Sequence, residues 1–236
     1  MEYHRIERAQ FLENYAAVRE NIEKAAIAAG RKPSEIELCA VTKTFGWEAY
    51  DLARGAGLKS IGENRVQEAE VKYSAGHQGV DLRLIGHLQT NKAAKAVELF
   101  DTVDSVDSLR LAALLNDLAK KKSRILPVLV EINVGSDPAK SGISAENAQA
   151  FCETLLTMTS LRPDGFMTVL PLGCDEAKKM EYFTKISEIS LDISKKLFHN
   201  RTMLLSMGMS GDYIEAIKCG SGMIRIGTAL FGQRQR

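Results

Sequence analysis

Short apolar runs alternate with helix-periodic stretches along the whole chain, and that alternation restricts the fold more than any other feature. Eight such runs occupy 36–42, 58–61, 82–85, 102–106, 125–134, 161–169, 203–206 and 223–226, with 125–134 the strongest. Runs of this length, bounded by turn residues, read as strands. A first helix fits Phe11, Leu12, Tyr15, Val18, Ile22, Ala25 and Ala29, which recur at three and four residues; Gly30 fits its stop and Pro33 lies just beyond. A second spans about 47–56 and is closed by Gly57. Further helices carry Leu109, Leu111, Ala112, Leu115 and Leu118, then Tyr182, Phe183, Ile186, Ile189, Leu191 and Ile193, and a short one covers 214–217.

Strands separated by helices predict a parallel sheet, since parallel neighbours need a crossover connection. Eight such units in 236 residues match a single (β/α)8 TIM-type barrel, which typically uses about 250 residues. The rival is an open doubly wound sheet, which places a glycine-rich loop after its first strand. Here that loop reads Lys43-Thr44-Phe45-Gly46-Trp47, with one glycine. No linker, repeat or low-complexity stretch divides the chain, so one domain over 1–236 is expected. With 45% hydrophobic residues it can bury a sizeable core.

Net charge is +1, which argues against a nucleic-acid footprint, and Lys120-Lys121-Lys122 reads as a solvated helix end. Cys39, Cys152, Cys174 and Cys219 show no paired spacing and are expected to be reduced thiols. The first eight residues lack the apolar centre of a signal peptide, and no apolar run approaches the roughly 20 residues of a membrane span. A cytoplasmic protein without a membrane segment is therefore expected. His4, His77, His87 and His199 are scattered and offer no zinc spacing, so no metal is expected; His87 is set apart by its place after the third strand. Gly220-Ser221-Gly222 precedes a strand and lacks the third glycine of a dinucleotide fingerprint. Gly208-Met209-Ser210-Gly211-Asp212 misses the nucleophile elbow by its last residue.

The chemistry gathers at strand ends, where barrels keep their active face. Lys43 closes the first apolar run, and a desolvated lysine becomes a usable nucleophile. Ser206-Met207-Gly208-Met209-Ser210 follows the seventh strand and Gly227-Thr228 the eighth, the places where barrels often bind phosphate. Arg225 lies on the strand face opposite Ile224 and Ile226; if these pack under the outer helices, Arg225 points into the barrel and needs an anion or an acceptor. An amine and a phosphate cradle together suggest pyridoxal phosphate held as a Schiff base. A racemase-like enzyme with the same cofactor, and a cofactor-free Schiff-base aldolase acting on a phosphorylated sugar, remain open.

Several segments resemble the pyridoxal phosphate homeostasis protein family, also called the YggS or PROSC family. They are Ala40-Val41-Thr42-Lys43-Thr44, 62–68, 84–92, Lys140-Ser141-Gly142-Ile143, Gly165-Phe166-Met167-Thr168, 206–210 and 225–232. The resemblance implies the barrel of alanine-racemase-type enzymes without their second domain. It implies that Lys43 carries the cofactor as a Schiff base and that Arg225 faces the pyridine nitrogen. Ser206, Gly227 and Thr228 would hold the phosphate, and Asn64, Met167 and Met207 would complete the cofactor-binding set. Thr42 stands where many members have Ser, and Phe45-Gly46-Trp47 where Lys-Pro is common. An arginine beside the ring nitrogen weakens the ring as an electron sink, and a lone barrel has no second domain to supply a second base. The resemblance thus implies a monomeric cofactor carrier or regulator with no catalytic residue, whose candidate recipients are apoenzymes that use pyridoxal phosphate.

Overall fold

The computed structural model describes residues 3–137 and 140–233. Its strands are β1 (Glu37–Val41), β2 (Ser60–Glu63), β3 (Asp81–Leu84), β4 (Thr102–Val106), β5 (Leu126–Asn133), β6 (Ile143–Ser144), β7 (Leu161–Met167), β8 (Leu204–Ser206) and β9 (Met223–Ile226). The helices are α1 (Arg8–Ala28), α2 (Trp47–Gly55), α3 (Val66–Tyr73), α4 (Ala93–Leu99), α5 (Leu109–Lys121), α6 (Ala148–Leu155), α7 (Glu176–Leu197), α8 (Tyr213–Lys218) and α9 (Thr228–Phe231). All strand pairings between named strands are parallel. The order β4-β3-β2-β1-β9-β8-β7-β5 closes through an additional β4–β5 pairing, so eight strands form the expected barrel.

The ninth, β6, was not expected. It is two residues long and pairs on β5 with Ile132 beside Ile143. The first strand also stops earlier than its apolar run, at Val41, and leaves Lys43 in the turn that follows.

Strand alternation sorts the barrel into two layers. Leu38, Ala40, Leu82, Leu84, Val128, Val130, Ile132, Ile224 and Ile226 join the main apolar cluster under the helices. Their odd-parity neighbours face inward, and many are polar. Arg83 donates through Nε and Nη2 to both oxygens of Asp104 at 3.0 and 2.9 Å, with Asp104 fully buried. Cys39 lies beside this pair; burial pushes its thiol up to about 12, which leaves it an inert interior residue.

Helix α1 lies outside the βα repeat and packs on α8 and α9. Asn14 donates to the Leu230 carbonyl at 2.9 Å, and Arg31 to those of Ile217 and Ser221 at 3.1 and 2.7 Å. Rings of Phe11 and Phe45 flank Phe231 with centroids 5.5 and 5.3 Å away. The three lysines foreseen as a solvated end close α5, where positive charge suits the helix dipole.

Among the described glycines, Gly165 leaves the least room for a side chain. A Cβ there would sit 1.9 Å from the Leu204 carbonyl oxygen on β8, a clash with backbone that no side-chain motion relieves. Gly165→Ala is expected to cost at least the ~3 kcal/mol of severe overpacking. Gly55→Ala, which meets open space at the end of α2, should be neutral or gain up to about 1 kcal/mol. Chemical denaturation of both variants checks the contrast.

Candidate functional site

The expected site residues converge on one end of the barrel. Lys43 and Asn64 follow β1 and β2; Met167 and Ser206 end β7 and β8, and Met207 comes next; Arg225 lies in β9, with Gly227 and Thr228 just beyond. These five strands are neighbours in the order β2-β1-β9-β8-β7, so residues scattered over 185 positions of sequence share one rim.

Arg225 points inward as its strand parity requires and is 3% exposed. It donates to the Ser206 carbonyl at 2.5 Å, to the Ser206 hydroxyl at 2.8 Å and to the Thr168 carbonyl at 2.8 Å. Its acceptors are neutral oxygens of Ser206, which ends β8, and of Thr168, just past the end of β7. Burial pushes the guanidinium down from its ordinary value, with Asp104 the leading opposing charge, yet an arginine stays cationic. A positive group is thus fixed just below the mouth.

The phosphate-type elements lie beside it. Thr228 opens α9, and the Ala229 amide donates to the Ser210 hydroxyl at 3.2 Å. Gly227 lets this turn approach β1: a Cβ there would come within 3.3 Å of the Val41 carbonyl. Ser206 is fully buried, and its hydroxyl accepts from Arg225 while keeping its own proton to donate. Ser210, from the loop after β8, thereby ties that loop to the turn of Gly227 and Thr228.

The turn that carries Lys43 is fastened from outside the barrel. Thr42 shares the outward parity of Leu38 and Ala40, and its hydroxyl donates to Glu63 Oε1 at 2.6 Å and meets the Tyr73 hydroxyl at 3.0 Å. Lys72 Nζ, 1% exposed, donates to the Thr42 carbonyl at 2.7 Å and contacts Glu63 Oε1 and Glu68 Oε1 at 2.9 and 2.7 Å. Glu68 in turn accepts from the Thr44 amide at 2.5 Å. Both peptide groups flanking Lys43 are thereby held from α3. The clamp matters because Thr44 has φ 70°, a left-handed conformation that is strained for a β-branched residue. The His4 amide adds a bond to the Thr44 carbonyl at 3.0 Å. Trp47, the chain's only tryptophan, starts α2 and packs on Tyr50 and Tyr73 with ring centroids 4.4 and 5.8 Å away.

Farther round the rim, beyond β3, a second polar group forms. His87 Nδ1 is 3.1 Å from Asp107 and 3.2 Å from the Ser141 hydroxyl. Lys140 donates to the Leu170 carbonyl at 3.0 Å. Glu131 is buried near them. Among the described residues no group of three or more His, Cys, Asp or Glu could hold a metal, and all four cysteines are free. A cavity of about 1150 Å³ opens at the opposite end, lined by Arg31, Glu37, Lys59 and Arg201 among others; barrel chemistry uses the Lys43 end.

Lys72→Met should strand Glu63 and Glu68 without their cation. A loss of about 3–5 kcal/mol is expected, measured by urea unfolding. Glu68→Gln, which keeps an acceptor for the Thr44 amide, should cost about 1–3 kcal/mol.

Residues 14–235 match the family model described as alanine racemase, N-terminal domain. The pyridoxal phosphate homeostasis protein of Synechocystis sp. is 38% identical over 204 residues, covering 86% of this chain and 93% of that protein. Its namesake in Escherichia coli K12 is 36% identical over 225 residues, covering 94% and 95%. The structure of PipY from Synechococcus elongatus with PLP bound superposes with a TM-score of 0.79 at 33% identity, covering 90% of this chain and all of that one. An alanine racemase of Clostridium difficile shares the fold at a TM-score of 0.74 and 18% identity, with only 58% of its length covered. By its barrel, its rim of strand-end residues and these matches, the chain belongs to the alanine racemase N-terminal domain family and, within it, to the pyridoxal phosphate homeostasis proteins.

Proposed function

We propose that this protein binds pyridoxal phosphate through Lys43 and holds it for intracellular cofactor homeostasis, without acting as a proficient catalyst. One observation carries the reading: an amine, a buried guanidinium and a hydroxyl–amide cradle meet at five neighbouring strand ends. The names of the relatives, and PipY solved with PLP, support it.

The donor set fits the cofactor. Lys43 is half-buried in a turn held from both sides and supplies the amine that would anchor the aldehyde covalently. Ser210, Gly227 and Thr228 would take the phosphate, with Ser206 contributing its remaining proton. Asn64, Met167 and Met207 would line the pocket. When bound, the cofactor supplies a carbonyl carbon conjugated to an electron-withdrawing ring. Arg225 would oppose a second positive charge at the ring nitrogen, which favours holding over turnover.

We take residues 1–236 as one cofactor-binding domain. We take it to act as a monomer, and four free cysteines fit a reducing cytoplasm. No described helix is long and apolar enough to cross a membrane. Apoenzymes that use pyridoxal phosphate are the proposed recipients.

Borohydride reduction followed by peptide mass analysis should place the pyridoxyl adduct on Lys43, and Lys43→Ala should lose it while staying folded. An adduct on Lys72, Lys92 or Lys140 would reject the assignment. Pyridoxal phosphate should bind far more tightly than pyridoxal. Ser210→Ala combined with Thr228→Val should narrow that gap by about 1.5–3 kcal/mol per hydroxyl, tenfold or more each, as read by equilibrium titration of both vitamers.

A further inference from the structure

Glu131 is the one acid in the strand run Leu126–Asn133. Val128, Val130 and Ile132 pack outward under the helices, so Glu131 shares the inward face with Leu129. It pairs in register with Met167, which pairs with Ser206. It therefore stands on the same rim as the proposed cofactor residues, on the far side from β1. Its residue exposure is 8%, and its Oε2 atom is buried with no hydrogen-bond partner. A buried carboxyl oxygen left unpaired is costly, and this one belongs to a residue at the level of the rim, where a ligand could supply the missing partner.

We propose that Glu131 is a proton-holding contact of the cofactor pocket, which takes up a proton when the anionic cofactor binds and so couples cofactor retention to pH. This rests on the reading that the mouth holds pyridoxal phosphate. A phosphate ester brings a charge near −2 at neutral pH. Within the same mouth an ionised Glu131 repels this anionic ligand, whereas a neutral carboxyl can donate a hydrogen bond to it. By linkage, a ligand that binds the protonated form better must raise the proton affinity of that carboxyl.

The surroundings set the starting point. Burial is the largest influence and pushes Glu131 from its ordinary 4.5 up to about 7; Asp107 adds to the rise, while Arg225, His87 and Lys140 oppose it. These four groups come from the segments after β4, from β9, and from the segments after β3 and β5. Glu131 is thus poised where modest changes of pH alter its charge. In the cofactor-free protein the folded state binds this proton more tightly than the unfolded chain does. That contribution to stability is complete below 4.5 and is lost as pH rises through about 7.

The test is Glu131→Gln, which keeps size and hydrogen-bonding capacity but cannot titrate. The first measurement is the dissociation constant for pyridoxal phosphate from about pH 5.5 to 8.5, in wild type and variant. Titration of Lys43 and of the cofactor itself is common to both and cancels in the ratio. Wild-type affinity should fall relative to the variant as pH rises, approaching about tenfold per pH unit above the Glu131 titration. The second measurement is the melting temperature of the cofactor-free proteins, where the advantage of the variant should grow between about pH 5 and 8. Parallel binding curves would overturn the proposal, even with the melting difference intact, because Glu131 would then titrate without sensing the ligand. Wild type that binds no pyridoxal phosphate at any pH would instead overturn the cofactor reading on which this one rests.

Discussion

The pairing of β4 with β5 turns a row of parallel strands into a ring, and the geometry of the site depends on that closure. Parallel strands all end at the same side, so closing them gathers eight chain reversals around one opening. Lys43, Asn64, Met207 and Thr228 are remote in sequence, yet each lies within two residues of a strand end on this rim. Nothing about their local sequence requires proximity. The ring supplies it, and it places the β5 side with Glu131 opposite the β1 side with Lys43.

A closed ring also creates an interior, and this one is partly charged. Arg83 with Asp104, then Arg225 with the oxygens of Thr168 and Ser206, occupy space that a purely structural barrel would fill with aliphatic layers. Charges taken out of water need close partners. The lower pair satisfies itself. The upper level does not: Arg225 relies on neutral acceptors, and Glu131 Oε2 has none. Polarity is thus left incomplete at the level of the mouth, where a ligand could complete it.

Most of the barrel was legible in the sequence because its strands are short apolar runs with parity. Ile224 and Ile226 outward and Arg225 inward follow from period two alone. Strand β6 was not legible, since two residues at Ile143–Ser144 carry no pattern and owe their conformation to pairing with β5. Helix α6 has no counterpart among the expected helices, although Ala148, Phe151, Cys152 and Leu155 carry helical spacing. Within the site, Lys43 was readable from its place after an apolar run. The Lys72 clamp was readable only in part: Glu68 and Lys72 are four apart, but Glu63 and Thr42 join them through packing. Glu131 offered a signal, a lone acid in an apolar strand, whose meaning depends on the neighbours that closure brings to it.

The position of Trp47 makes the chain its own optical gauge. The only indole in the protein sits four residues after Lys43, against Tyr50 and against Tyr73, whose hydroxyl belongs to the clamp on the Lys43 turn. Emission from a chain with one tryptophan arises from one place, so any rearrangement of that turn changes the surroundings of the sole emitter. A chromophore seated at the barrel mouth would lie close enough to drain its excitation. Occupancy of the rim, and the loosening or tightening of the Lys43 turn, can be followed by light alone, without a label that would disturb either.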